Sequence, residues 1–158
     1  GEKMKVAVIG SGTMGSGIAQ VLATKHQVVV RDIMPEALEK ARVRIHKGYE
    51  RNVAKGRMTE EEMKVAVENL TTSDKIEDLK HCDIIIEAAS ENPNIKKAIF
   101  KELDEVCDEK TILASNTSSL SITDIGAATK RPNKVVGMHF FNPVPAMKLV
   151  EIISGQVT

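Results

Sequence analysis

The sequence predicts a single α/β domain built on a doubly wound, mostly parallel β-sheet. Short apolar segments alternate with helical patterns along the 158 residues, and this alternation is typical of a parallel sheet covered by helices on both faces. A second observation is a glycine-rich turn directly after the first apolar segment. The third is the apolar run Ile84 to Ile86, which we expect to form a central strand buried on both faces.

The apolar segments that we interpret as strands are bounded by turn-forming or polar residues. They are Met4 to Ile9, Val28 to Val30, Ile84 to Ala89, Thr111 to Ala114, Val135 to Met138 and Leu149 to Ile153. The first helix is expected to begin at Gly12. Its inward-facing residues, at helical spacing, are Met14, Ile18, Val21 and Leu22.

The segment after the second strand is longer than one ordinary crossover helix requires. Pro35 and Glu36 favour a helix N-terminus, because proline fits the first turn and a carboxylate is stabilised near the positive end of the helix dipole. Gly56 interrupts the pattern, and Thr59 with Glu62 has the spacing of a capping box. We therefore predict a helical hairpin inserted after the second strand.

Two further helices are predicted in the second half of the chain. Ser121 and Asp124 are candidate caps of a short helix that extends through Ala128. The longer helix spans Pro93 to Val106, and its expected apolar face consists of Ile95, Ile99, Phe100, Leu103 and Val106.

Composition limits the classes of function. Lys plus Arg and Asp plus Glu both number 22, so there is no net field to recruit nucleic acid or a membrane surface, and we expect neither partner. Cys82 and Cys107 lack metal-type spacing, so we expect no metal site and no disulfide framework. No apolar run is long enough to cross a bilayer, and we expect the reducing cytoplasm as the compartment.

The glycine-rich turn follows a strand and leads into a helix. Its residues are Gly10, Ser11, Gly12, Thr13, Met14 and Gly15. In a Rossmann-type dinucleotide site the first glycine makes the turn, the second lets the backbone approach a diphosphate, and the third lets helix and strand pack closely. The helix N-terminus presents free N–H groups to the anion. We expect this loop to bind NAD, the alternative being an ordinary turn.

Asp32 closes the second strand at the spacing expected of a carboxylate that accepts the hydroxyls of the adenosine ribose. A 2′-phosphate at this place would meet a negative charge, so NAD is favoured over NADP. Arg31 is an objection, but neighbouring strand residues point to opposite faces. The alternative role of Asp32 is in a turn or a helix cap.

Three segments carry a family resemblance: Gly10 to Gly15, Ser115 to Ser119, and His139 to Pro145 with the sequence His-Phe-Phe-Asn-Pro-Val-Pro. Together they resemble the 3-hydroxyacyl-CoA dehydrogenases of fatty-acid oxidation and butyrate metabolism. The resemblance implies a reversible oxidation of an (S)-3-hydroxyacyl-CoA to the 3-ketoacyl-CoA, with hydride passing to the nicotinamide of NAD. It also implies that residues 1–158 form the NAD-binding domain, and that the family's helical domain, which dimerises, is absent from this chain.

By this resemblance His139 is the catalytic histidine and Glu151 its partner acid. Imidazole titrates near neutral pH and can both take and return a proton. The two residues are equidistant in sequence from Pro145, so flanking antiparallel strands would bring them together. The carboxylate would then orient the imidazole. We interpret the remaining histidines as surface or hydrogen-bonded core residues; they are His26, His46 and His81.

The resemblance assigns further contacts. Ser118 and Asn142 correspond to residues that hydrogen-bond the substrate oxygen and the nicotinamide region, although both residue types are also common in turns. Glu91 and Lys96 correspond to positions near the nicotinamide ribose, with solvated charge as the alternative. Lys55 matches a lysine that contacts CoA, whereas Gly48 replaces a serine that also does so.

Basic residues dominate positions 40–57, and they offer a landing surface for the phosphates of CoA. They are Lys40, Arg42, Arg44, Lys47, Arg51, Lys55 and Arg57. The alternative is a solvated helix face balanced by Glu60, Glu61 and Glu62. Two other functions stay open: an NAD-binding module with little turnover, and a dehydrogenase of a small hydroxy acid without CoA, which leaves the basic face unexplained.

Overall fold

The computed structural model describes residues 3–89, 92–115 and 119–138. Within these ranges a 6-stranded sheet has the order β3-β2-β1-β4-β5-β6, and every neighbouring pair is parallel. This is the doubly wound order of dinucleotide-binding folds. The strands are β1 (Lys5–Ile9), β2 (Gln27–Arg31), β3 (Leu70–Ser73), β4 (Ile84–Glu87), β5 (Ile112–Ser115) and β6 (Val135–Gly137).

Helices cover both faces of the sheet. Side chains alternate along each strand, so Val6 and Val8 of β1 pack into one core cluster, and Ala7 and Ile9 pack into another on the opposite face. The buried run Ile84 to Ile86 contributes to both clusters, which confirms its central position. The helices are α1 (Thr13–Leu22), α2 (Pro35–Ala54), α3 (Glu60–Asn69), α4 (Pro93–Val106) and α5 (Ser119–Ala127).

The predicted helical hairpin is confirmed. α2 begins at Pro35, and α3 is preceded by a complete capping box. The Thr59 hydroxyl accepts from the Glu62 amide at 3.0 Å, while the Glu62 carboxylate accepts from the Thr59 amide at 2.9 Å. None of the helices in the described ranges is long and apolar enough to span a membrane.

Some expectations about the elements were wrong. Strand β3 was not predicted, because Leu70–Ser73 is short and mostly polar. Ser121 and Asp124 do not begin a helix, since α5 is already helical from Ser119. Ile95 is 48% exposed rather than on the apolar face of α4. The proposed strand from Leu149 to Ile153 lies outside the described residues.

Candidate functional site

The carboxyl ends of β1, β2, β4 and β5 meet at one edge of the sheet. The connections from β1 lead through β2 to one side, and β4 begins the other half. The switch point therefore lies between β1 and β4, which is where doubly wound sheets bind ligands. The glycine loop leaves β1 at this point and leads directly into α1.

The three glycines occupy three different environments. Gly10 has φ +107°, and a Cβ there would lie 2.9 Å from the Ala89 Cα. At Gly15 a Cβ would lie 1.9 Å from the Gly10 carbonyl oxygen, so helix and strand pack too closely for any side chain. At Gly12, by contrast, a Cβ would meet no atom of the described residues within 4 Å. The space above Gly12 is therefore open.

Gly12 is also the N-cap residue of α1, and no side chain caps the helix. The Ser16 amide makes the first bond of the helix, to the Gly12 carbonyl at 2.8 Å. Earlier amides of a helix have no intrahelical acceptor and carry the positive end of the helix dipole. Open space in front of uncapped amides fits an anionic group such as the diphosphate of NAD.

Asp32 follows β2 and binds the loop. Its Oδ2 accepts from the Ser11 hydroxyl at 2.6 Å and from the Ser11 amide at 3.2 Å, while Oδ1 accepts from the Met34 amide at 3.1 Å. Burial raises the pKa of Asp32, but the hydrogen bonds from Ser11 and Met34, with the charge of Arg31, lower it below its ordinary value. Asp32 is thus ionised at neutral pH. Its hydrogen bond from the Met34 amide stabilises the turn after β2, and its hydrogen bonds from Ser11 connect it to the glycine loop.

Arg44 reaches the same loop from α2. Its Nη1 donates to the Ser11 carbonyl oxygen at 3.2 Å and to the Ser16 hydroxyl at 3.0 Å. The sequence indicates Arg44 only as part of a general basic face. The contact depends on how α2 packs across α1, and no local sequence signal indicates it.

A buried polar cluster lies at the ends of β4 and β5. The Lys96 ammonium group donates to Glu87 Oε1 at 2.5 Å and to the Ser115 hydroxyl at 3.3 Å. The Ser115 hydroxyl donates to the same carboxylate at 2.7 Å, and the Ala89 amide donates to Glu87 Oε2 at 2.8 Å. Glu87, Lys96 and Ser115 are 0%, 3% and 0% exposed. The family resemblance indicates Lys96 as a cofactor contact, but nothing in the sequence indicates its two partners, Glu87 and Ser115.

The basic residues of α2 and the turn after it are exposed. Arg42 pairs with Glu39 at 3.3 Å on the same helix. Among the described residues no ion pair links this face to Glu60, Glu61 or Glu62, and the alternative of a solvated face with these glutamates nearby stays a hypothesis. Lys55 is the exposed C-cap of α2. A Cβ at Gly48 would lie 2.5 Å from the Gln20 side chain of α1.

Several of the predicted site residues lie outside the described part of the chain. They are Glu91, Ser118, His139, Asn142 and Glu151. The structure thus brings together Gly10 to Gly15 and Asp32, and it places Lys96 at the end of β4 and Lys55 at the far end of α2.

Comparison with known proteins gives consistent results. A family model described as "3-hydroxyacyl-CoA dehydrogenase, NAD binding domain" matches residues 5–158. A 3-hydroxybutyryl-CoA dehydrogenase of Clostridioides difficile is 53% identical over 156 residues, which are 98% of this chain and 56% of that protein. A 3-hydroxyadipyl-CoA dehydrogenase of Escherichia coli (strain K12) is 50% identical over 154 residues, 97% of this chain and 32% of that protein.

Solved structures agree. A 3-hydroxybutyryl-CoA dehydrogenase from Escherichia coli K12 has a TM-score of 0.89 at 41% identity, over 98% of this chain and 37% of that one. An (S)-3-hydroxybutyryl-CoA dehydrogenase from Ralstonia eutropha has a TM-score of 0.88 at 38% identity, over 99% of this chain and 61% of that one. The chain spans about half the length of the curated 3-hydroxybutyryl-CoA dehydrogenases that it matches.

Proposed function

Because the chain belongs to the family of 3-hydroxyacyl-CoA dehydrogenase NAD-binding domains, we propose that it holds NAD for the reversible oxidation of an (S)-3-hydroxyacyl-CoA to the 3-ketoacyl-CoA. The observation that supports this most directly is the open space above Gly12, in front of uncapped helix amides and next to Asp32. The diphosphate of NAD fits the open space in front of the helix amides, and the adenosine ribose fits beside Asp32.

Asp32 has the capacity to hold the ribose. A carboxylate offers about four lone-pair sites, and Ser11 and Met34 donate three hydrogen bonds to Asp32. One site therefore stays available, and rotation of the Ser11 hydroxyl releases another. A 2′-phosphate would instead place two negative groups together, which supports a preference for NAD over NADP.

The proton chemistry is assigned by family resemblance. NAD supplies a hydride acceptor at C4 of its nicotinamide. We place His139 as the base that takes the substrate's hydroxyl proton, and Glu151 as the carboxylate that orients the imidazole and stabilises its charged form. Ser118 and Asn142 would hydrogen-bond the substrate oxygen and the nicotinamide region, and Glu91 and Lys96 would lie near its ribose.

The acyl-CoA substrate has a second point of attachment in the proposal. The exposed basic residues of α2 and Lys55 at its C-terminus face solvent, and none of the ion pairs in the described part of the chain joins them to α3. The 3′-phosphate and diphosphate of CoA suit such a surface. A hydroxy acid without CoA would have no use for it.

Titration of the chain with NADH, followed by fluorescence, tests the cofactor part. Asp32→Ala is expected to weaken NADH binding by about tenfold, the scale of losing hydrogen bonds to a charged group. It is also expected to reduce the ratio of the affinity for NADH to the affinity for NADPH. An unchanged ratio of the two affinities would refute the ribose assignment.

Reduction of acetoacetyl-CoA by NADH tests the reaction. His139→Gln is expected to abolish turnover while NADH affinity stays close to that of the parent chain. NADH binding without any turnover by the parent chain would favour the binding-module alternative. In the reverse direction, equal rates of oxidation by NAD of free 3-hydroxybutyrate and of its CoA thioester would favour a hydroxy-acid dehydrogenase that does not use CoA.

A further inference from the structure

Arg44 is the one basic residue of positions 40–57 that the described structure joins to the glycine loop. Its Nη1 lies 3.2 Å from the Ser11 carbonyl oxygen and 3.0 Å from the Ser16 hydroxyl, and that hydroxyl donates to the same carbonyl at 3.0 Å. Two donors thus converge on one carbonyl. Resting on the proposed function, we propose that Arg44 is a positioning residue that aims the Gly12 amide at the diphosphate of the dinucleotide.

The geometry of the peptide bond gives the first argument. The carbonyl of Ser11 and the N–H of Gly12 belong to one planar trans peptide, so they point in opposite directions. A donor that fixes the Ser11 carbonyl on the side of α2 therefore turns the Gly12 N–H to the other side. Gly12 itself is exposed, and no atom of the described residues lies within 4 Å of its Cβ position.

The second argument is electrostatic. Ser11 receives a cation at its carbonyl, from Arg44, while its amide and hydroxyl donate to the anionic Asp32. Hydrogen bonds to charged groups are stronger than neutral ones and polarise the groups along a chain. The Gly12 N–H becomes a better donor, and the positive charge of Arg44 offsets the repulsion between Asp32 and an incoming diphosphate.

Arg42 provides a matched control because it carries the same charge on the same helix. It is exposed, and its Nε pairs with Glu39 at 3.3 Å instead of with the loop. If only the positive charge matters, replacing either arginine should weaken NADH binding. If the orientation of the loop matters, only the replacement of Arg44 should weaken it. Arg44→Lys is a second comparison, since an ammonium keeps the charge but lacks the planar fork of the guanidinium.

The test measures NADH affinity by fluorescence, and the affinities of ADP-ribose and adenosine by competition with NADH. Arg44→Met is expected to bind NADH and ADP-ribose about five- to twentyfold more weakly, which is near the lower end for one hydrogen bond to a charged group. Adenosine, which lacks the diphosphate, should bind about equally to parent and variant. Arg44→Lys should be intermediate, and Arg42→Met should stay within about twofold of the parent.

Unchanged ADP-ribose affinity in Arg44→Met would overturn this inference but leave the proposed function intact. An equal loss of adenosine affinity would do the same, because it would indicate that Arg44 supports the fold in general. An Arg42→Met loss as large as that of Arg44→Met would also overturn it, in favour of a diffuse charge effect. If the parent chain does not bind NADH at all, both the proposed function and this inference are refuted. If Arg44→Met unfolds, the ADP-ribose affinities of Arg44→Lys and the parent chain are compared instead. Equal affinities would overturn the inference, and a weaker affinity of Arg44→Lys would support it.

Discussion

The glycines of the loop lack a side chain for different physical reasons. Gly10 is required by its backbone conformation and Gly15 by the contact between α1 and β1, so both serve the fold. Gly12 has a conformation open to any residue, with φ −70°, and free space around its Cβ position. Close approach of a diphosphate to the helix amides gives a reason for glycine at this position.

The pair Gly12→Ala and Gly17→Ala separates effects on ligand binding from effects on the fold, because neither Cβ would lie within 4 Å of any atom that the structure describes. Gly12→Ala should weaken NADH binding by about tenfold or more, since a methyl group keeps the diphosphate from the amides, while changing unfolding free energy by about 1 kcal/mol or less. Gly17→Ala, inside α1, should stabilise the fold by about 0.5–1 kcal/mol and leave NADH affinity unchanged. Denaturant unfolding and NADH titration measure the two effects.

Equal NADH affinity in the two variants would contradict the role of Gly12. Gly15→Ala provides the opposite case, because its methyl would overlap the Gly10 carbonyl at 1.9 Å. We expect it to destabilise the fold, so a loss of NADH binding in that variant carries no information about the ligand.

His26 gives a dependence of stability on pH. It is 3% exposed, its Nδ1 accepts from the Met4 amide at 3.1 Å, and its buried Nε2 has no partner among the described residues. Burial, aided by nearby positive charge, lowers the pKa of His26 below its ordinary value of 6.5. The unfolded chain therefore binds this proton at a higher pH than the folded chain.

Stability should consequently fall as the pH drops below about 6.5, until the pKa of the folded state is reached. His26→Gln, which retains an acceptor for the Met4 amide, should show a shallower fall in unfolding free energy between neutral and mildly acidic pH. The exposed His46 supplies a control variant, His46→Gln, which removes a histidine from the surface instead of the core. Identical slopes in all three proteins would remove His26 as the cause.

The polar cluster of Glu87, Lys96 and Ser115 joins α4 to the ends of β4 and β5. Helical periodicity favoured Ile95 as the inward residue, yet Ile95 is exposed and Lys96 is buried. A buried carboxylate on β4 needs a cation, and Lys96 meets that need from the first turns of α4. Apolar pattern alone does not indicate such a partner, because Glu87 and Lys96 come together only in the folded chain.

Removing one member of a buried ion pair leaves the other charge uncompensated. Lys96→Met should therefore lower the unfolding free energy by about 3–5 kcal/mol, measured by denaturant unfolding. The neighbouring Lys97 pairs with Asp124 in a partly exposed position, so Lys97→Met should cost about 1 kcal/mol or less.

The double variant Glu87→Gln with Lys96→Met removes both charges and should recover much of the loss. Equal effects of Lys96→Met and Lys97→Met would show that the buried pair is not the source. A double variant that is as unstable as Lys96→Met would contradict the explanation by an uncompensated carboxylate.

Sequence predicts the sheet well where the signals are local. The apolar strands within the described residues, the turn at the glycine loop, the Pro35 helix start and the Thr59 capping box all depend on neighbouring residues, and these are confirmed. Strand β3 was missed because its polar residues lie at the edge of the sheet, where burial does not impose an apolar pattern. The contacts of Arg44 and Glu87 were missed because they depend on packing between distant segments.

The architecture explains why the loop residues and the polar cluster lie close together. With all described strand pairs parallel, the segments after β1, β2, β4 and β5 emerge at one edge, and the switch point between β1 and β4 is where doubly wound sheets form their ligand crevice. Asp32 and the glycine loop occupy one side of that crevice, and Lys96 with Glu87 lies beneath the other. An extended dinucleotide suits such a site.

A crystal structure of the chain with NADH tests this account most directly. We expect diphosphate oxygens at hydrogen-bond distance, about 2.7–3.2 Å, from the amides at the start of α1, and the adenosine ribose hydroxyls at Asp32. A dinucleotide bound away from the glycine loop, or a ribose without contact to Asp32, would contradict the account.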